Sequence, residues 1–245
     1  MDRRHFLKVR VGSFTLSALI VVFVFNVAFA DEPKSAALIQ TLPADGVWAE
    51  FNVNVKLNGQ EIVPKWSARS VGQAFHGGKQ CRFIEMEQTS DHPRMPNTTW
   101  RFLVPEDEFG EGKDPLSKAV KRWNKIEMEE PAAFESLEIK DPIFAMLLAG
   151  PKQNIKTEET KEKVSWQQGD LECTVISGGN ELELGTAKFS MSHRVFRHTD
   201  VPFGLAGMQQ ELKASFGGQM QAATIKMTLR DHGKDAKAKL PDLVP

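Results

Sequence analysis

From Val47 to Leu57 every odd position is apolar (Val47, Ala49, Phe51, Val53, Val55, Leu57), while Glu50, Asn52, Asn54 and Lys56 between them are polar. Side chains recur on one side every second residue only along an extended backbone, so this stretch reads as a strand with one buried and one wet face. Asn58-Gly59 follows. Both residues tolerate positive φ, which a tight hairpin turn demands. The return strand runs from Gln60 to Val71, and Pro64, which has no N–H for the ladder, predicts an edge or a bulge within it. A chain that opens this way builds an antiparallel sheet.

Further strands are predicted at Cys81–Gln88, after a Gly77-Gly78 turn, and at Thr98–Val104, where Trp100, Phe102 and Val104 share a face. The period then changes. Asp114-Pro115 supplies a cap and a first-turn proline, and Leu116, Ala119, Val120 and Trp123 follow at helical spacing. A second helix is predicted between Asp141-Pro142 and Gly150-Pro151, with the body Ile143 to Ala149 apolar on every side. Residues 152–163 read as a charged connector. Strands resume at Lys163–Trp166 and Leu171–Ser177, turn at Gly178-Gly179-Asn180, and continue over Glu181–Phe196 with a bulge at Gly185, Val201–Leu212 and Gln221–Leu229. Strands, two helices and strands again predict an α+β fold: a curved antiparallel β-sheet with two helices inserted mid-chain and covering one face.

The start of the chain is a different material. Arg3, Arg4, Lys8 and Arg10 precede an apolar run, Leu16 to Phe25, which closes at Ala28-Phe29-Ala30. A charged start, an apolar middle and a small-x-small end are the parts of a signal peptide. The other reading is an uncleaved anchor, since 11–30 is about long enough to span a bilayer. The organisation predicted is a signal peptide over 1–30, one β-rich domain over 31–232 and a flexible tail over 233–245. Asp2-Arg3-Arg4-His5-Phe6-Leu7-Lys8 resembles the twin-arginine export signal. The resemblance implies a bacterial protein, periplasmic or secreted, whose partner in transit is the export machinery; the general secretory route stays open beside it.

Composition excludes more than it assigns. The net charge is −1 over 245 residues, and no basic cluster forms a nucleic-acid footprint. Cys81 and Cys173 are the two cysteines. In an oxidising compartment they are expected to form a disulfide, the alternative being two buried thiols. Two cysteines cannot make the usual structural zinc site, and no cofactor is expected. Hydrolase, metalloprotease, phosphate-loop and Cys-x-x-Cys signatures are missing from the sequence. His193 and His198, flanked by polar residues, read as exposed positions near a strand end, and Asp200 as a turn residue. Glu106, Asp107, Glu108, Glu111 and Asp114 surround Gly110 and Gly112 and read as a solvated loop rather than a calcium site.

The feature with functional colour is the second predicted helix. Ile143, Phe144, Met146, Leu147 and Leu148 lie between two Pro-marked ends and must be enclosed by a core or a partner. They are the candidate ligand-binding residues, on a helix that would move when an apolar ligand enters. The order of elements, from Val47–Leu57 and Asn58-Gly59 through the two helices to Leu229, resembles the half-barrel carriers of bacterial lipoprotein localisation. That resemblance implies a half-barrel-like sheet with acyl chains bound between sheet and helices. Val201-Pro202-Phe203-Gly204 with Ala236–Pro241 is similar to secreted proteins of planctomycete bacteria, which adds compartment alone. The function expected is an exported cell-envelope binding or carrier protein for an apolar small molecule or lipid. The alternative is an envelope hydrolase with a dispersed site drawing on His193 or His198 with Asp200.

Overall fold

Thirteen strands form one antiparallel sheet in the structure, a computed structural model that describes residues 36–57, 59–92, 95–134, 148, 150–184, 187–216 and 219–241. The predicted signal peptide and all of the second predicted helix except Leu148 lie outside the described residues. The strands are β1 (Trp48–Leu57), β2 (Gln60–Ile62), β3 (Lys65–His76), β4 (Lys79–Thr89), β5 (Thr98–Pro105), β6 (Lys121–Ile126) and β7 (Ala132–Ala133). They continue as β8 (Gln153–Thr157), β9 (Glu162–Trp166), β10 (Gly169–Leu184), β11 (Ala187–Arg197), β12 (Leu205–Phe216) and β13 (Gln219–Gly233).

The spatial order is β7-β6-β5-β4-β3-β1-β13-β12-β11-β10-β8, with β2 on β1 and β9 on β10. Two meanders therefore meet at one long-range seam, where β1 pairs with β13 from Trp48↔Gly233 to Leu57↔Ala223. The sheet is open and curved. β9 folds back far enough for Trp166 to stack on His232 of β13, ring centroids 4.9 Å apart. The chain reverses after β1 as read, with Leu57 opposite Gln60, and Asn58 lies outside the described residues. Pro64 breaks the return strand into β2 and β3, and its carbonyl accepts from the Val53 N–H.

The α+β assignment is corrected: the fold is nearly all sheet, and no helix of seven residues or more occurs among the described residues. At the first predicted helix, Lys118 N–H and Ala119 N–H reach back three residues to Pro115 and Leu116, one tight turn with Ser117 bonded to Asp114. Val120 N–H then bonds Leu103, and Lys121–Ile126 pairs with β5 as β6. The helical spacing is consumed in a single turn. Leu116 and Ala119 enter the core while Trp123 goes to the opposite face of the sheet. An open strand edge offering six ladder positions outcompeted a short helix that had to nucleate alone.

A second correction concerns Gly178-Gly179, read as a turn. Both lie inside β10, paired with His193 and Ser192. Added methyl groups would lie 2.8 Å from Pro151 Cβ at Gly178 and 2.6 Å from the Met191 carbonyl at Gly179. These glycines allow close approach rather than reversal. The residues read as a charged connector contribute β8 and part of β9.

The main core lies on one face, where Phe51, Val53, Trp66, Ile84, Met86, Trp100, Phe102, Met208 and Met227 are buried. Its cover is largely made of non-strand chain: Leu38 and Ile39, Phe109, Leu116 and Ala119, and Val201 and Phe203. A smaller cluster of Cys81, Leu103, Trp123 and Leu240 sits on the outer face.

Candidate functional site

Of the predicted lid residues, Ile143, Phe144, Met146 and Leu147 lie outside the described residues. Leu148 is half-buried and packs against the main core. Beside it, Gly150 meets the segment at Ala36 and Ala37. A methyl group there would lie 2.7 Å from the Ala36 carbonyl.

That segment is the first notable feature. Ala36, Ala37, Leu38 and Ile39 are each at most 4% exposed, yet they join no strand. A segment buried outside a sheet needs other partners for its polar backbone. Arg197, at the end of β11, supplies two of them: Nη1 donates to the Leu38 carbonyl at 2.8 Å and Nη2 to the Ala37 carbonyl. Burial pulls the Arg197 guanidinium down to about 10, still well above neutrality. Ala36 N–H bonds Pro151, and Gly110 N–H donates to the Gln40 carbonyl at 2.9 Å. The core face thus holds an apolar non-strand segment whose backbone is read by side chain and loop.

The second feature is a polar patch on the same face. His193 of β11 stands in register between Gly178 of β10 and Gln210 of β12, and the row continues through Ile225 to Val55. His193 is 1% exposed and Gln210 2%. Asn180 accepts from Lys152 N–H through Oδ1, so its amide group must donate. It does so to the Gly150 carbonyl and to His193 Nε2, each at 3.2 Å. His193 Nε2 is then the acceptor, and the network assigns the ring proton to Nδ1. That Nδ1–H has no partner among the described residues, and neither has Gln210 Oε1. Gln210 Nε2 donates weakly to Met191 Sδ at 3.7 Å. Burial pulls the imidazole down to about 4, so it is neutral. A buried donor and a buried acceptor without partners are therefore aligned on neighbouring strands of an apolar face.

The remaining sequence candidates separate. His193 is buried, which corrects its reading as an exposed position. Its parity with Met191 and Val195 was the available signal, because alternate residues share a face. His198 and Asp200 form a local turn in which the Asp200 N–H donates to His198 Nδ1 at 3.2 Å. The acidic cluster disperses into ion pairs, Glu106 with Arg82 and Asp107 with Lys79, both at 2.8 Å. Among the described residues no three His, Cys, Asp or Glu side chains converge as metal ligands. Arg197, Gln210 and the segment at Ala36 were not among the sequence's candidate site residues, and Asn180 was read only as part of a turn.

Cys81 and Cys173 are both buried free thiols, so the expected disulfide is corrected. β3, β1, β13, β12 and β11 lie between their strands, and the two cysteines belong to different clusters. Burial pushes both thiols up, Cys173 to about 11. Little thiolate is available at pH 8, and the thiolate is the reactive form. The native protein should therefore react slowly with an aromatic disulfide reagent, and denaturant should release both thiols. A denatured protein that titrates no thiol would restore the bridge.

No family model and no curated protein sequence matches the chain. Among solved structures it is similar to a Bacteroides fragilis protein with a YmcC-like fold that its name gives as exported. Identity there is 8%, over 80% of this chain and 100% of that one, at a TM-score of 0.35. A DUF1329 family protein from Desulfovibrio piger gives 10% identity over 80% of this chain and 87% of that one, at a TM-score of 0.31. Superpositions this loose carry nothing about activity.

Proposed function

We propose that this chain is an exported cell-envelope binding or carrier protein whose ligand is an amphiphile, an apolar body with one uncharged polar group. The observation that carries the reading is the His193–Gln210 pair. It offers one donor and one acceptor, buried and unpartnered among the described residues, on a face lined largely by apolar side chains. Ligand sites for such molecules are mostly apolar with a few placed polar groups. A hydroxyl or an un-ionised acid accepts from Nδ1–H and donates to Oε1, satisfying both. A carboxylate supplies no donor for Gln210 and would carry its charge into a buried site. The buried segment at Ala36 supports the same reading, because it is itself an apolar occupant of that face that belongs to no strand. Export follows from the sequence at residues 1–30 and gives the compartment.

The test joins binding to stability. Protein purified without detergent is extracted and examined by mass spectrometry for retained lipid, and a fluorescent long-chain alcohol is titrated into the lipid-free form. The wild type should bind the probe. His193→Leu should weaken binding roughly tenfold, the worth of about one buried hydrogen bond. The same variant should change the thermal midpoint little, because it removes the unpartnered Nδ1–H together with the bond from Asn180, whose amide keeps the Gly150 carbonyl. A wild type that retains no lipid and binds no probe would sink the proposal.

A further inference from the structure

The outer face carries a second arrangement, remote from the patch on the core face. In register across four strands stand Arg69 of β3, Glu85 of β4, Arg101 of β5 and Trp123 of β6. Glu85 is 0% exposed and Arg101 3%, which is unusual for a charged pair on the side of a sheet away from the main core. What covers them is residues 239–241, part of the tail expected to be mobile.

Past β13 the chain leaves Gly233 and crosses β1 and β3 to reach β4 and β5. Trp48 Nε1 donates to the Lys234 carbonyl at 3.0 Å, and Ala236 N–H to the Gly46 carbonyl at 2.7 Å. Lys237 and Ala238 are exposed. At the far end the buried pair reads the backbone in both senses. Glu85 accepts from the Lys239 N–H at 2.7 Å and the Leu240 N–H at 3.0 Å. Arg101 donates through Nη2 to the Leu240 carbonyl at 2.6 Å and through Nη1 to the Pro241 carbonyl at 2.7 Å. Nε and Nη2 of Arg101 also bond Glu85 Oε1, at 2.9 and 2.7 Å, so each ion holds the other in place. The Leu240 side chain, 2% exposed, fills a pocket of Cys81, Leu103 and Trp123, and Phe83 stacks beneath the Arg101 guanidinium at 5.5 Å. Lys239 Nζ lies 3.9 Å from Glu87.

This arrangement has the parts of a peptide-recognition site: fixed donors and acceptors for main chain, one apolar pocket for an anchor and a carboxylate for the flanking lysine. Proline after the anchor brings no N–H that would be stranded beside the buried pair. We propose that the Glu85–Arg101 socket is a binding site for a lysine–leucine–proline peptide whose backbone bends so that successive N–H groups meet one carboxylate, and that the chain's own tail is the ligand it holds. The contacts are concentrated in Lys239–Pro241, so the preceding residues serve mainly as a tether. A short tether presents its end at an effective concentration of about a millimolar, which keeps competitors out while the tail stays seated.

The experiment uses the full chain and a dye-labelled hexapeptide of the sequence Ala236 to Pro241, followed by fluorescence anisotropy. Leu240→Asp places a carboxylate in the apolar pocket beside Glu85 and should release the tail. The labelled peptide should bind this variant at least roughly tenfold more tightly than the wild type, whose socket is filled. A peptide with alanine in place of its leucine should bind neither. If circular dichroism shows that Leu240→Asp does not fold, Leu240→Ala serves for the same comparison. Peptide binding by neither variant, or equal binding to variant and wild type, would reduce the tail, a strap across β1, β3, β4 and β5, to a structural clasp and overturn the proposal.

Discussion

Replacing Arg101 by Met should destabilise the protein by about 3–5 kcal/mol, the cost of leaving a buried carboxylate without its counter-ion. Glu85 is fully buried and takes bonds from both Arg101 and the strap. Removing the guanidinium strips its charged partner and also frees the Leu240 and Pro241 carbonyls. The measurement is urea unfolding of both proteins, with the slope compared to show that the unfolded state is unchanged. Removing both ions in Glu85→Leu with Arg101→Met should recover part of the loss, because no charge then stays buried. A loss below about 1 kcal/mol for the single variant would place the pair among solvent-screened surface bridges.

A pH dependence of similar size is expected from His193. Its ordinary value is 6.5, and burial pulls it down to about 4 in the folded protein. Between those values the unfolded chain binds the proton and the folded chain does not, so stability falls as pH drops. The loss begins near pH 6.5, is complete near pH 4 and amounts to about 3 kcal/mol. Other groups titrate in the same window. The Asp114 carboxyl, pushed up by burial, contributes with the opposite sign. The test is therefore a difference: unfolding free energies of wild type and His193→Leu, each followed from pH 7 to pH 4. The groups common to both cancel, and the gap between the two curves should shift by about 3 kcal/mol in favour of the variant at low pH. Parallel curves would mean that water reaches the ring.

What residue pattern alone determined here is local. Alternation from Val47 to Leu57 set which side chains of β1 are buried, and Asn58-Gly59 and Gly77-Gly78 set where the chain reverses. Both are properties of a few adjacent residues, so neither needs a partner strand to be read. The same logic reached its limit at Leu116–Trp123. Its spacing fits a helix, but the decision belonged to the open edge of β5. At Gly178-Gly179 a turn and a close approach use the same residue type, and only Pro151 and Met191 nearby distinguish them. His193 has the parity of a buried residue, but its polar neighbours in sequence point outward on the other face; its ring meets Asn180 of the adjoining strand. The β1–β13 seam, the segment at Ala36 seated on the core face and the strap over Glu85 join residues far apart in the chain. Periodicity reports the parity of a strand, whereas its partner and its cover depend on distant residues meeting. The tertiary structure decided those, and with them the polar pair and the peptide socket.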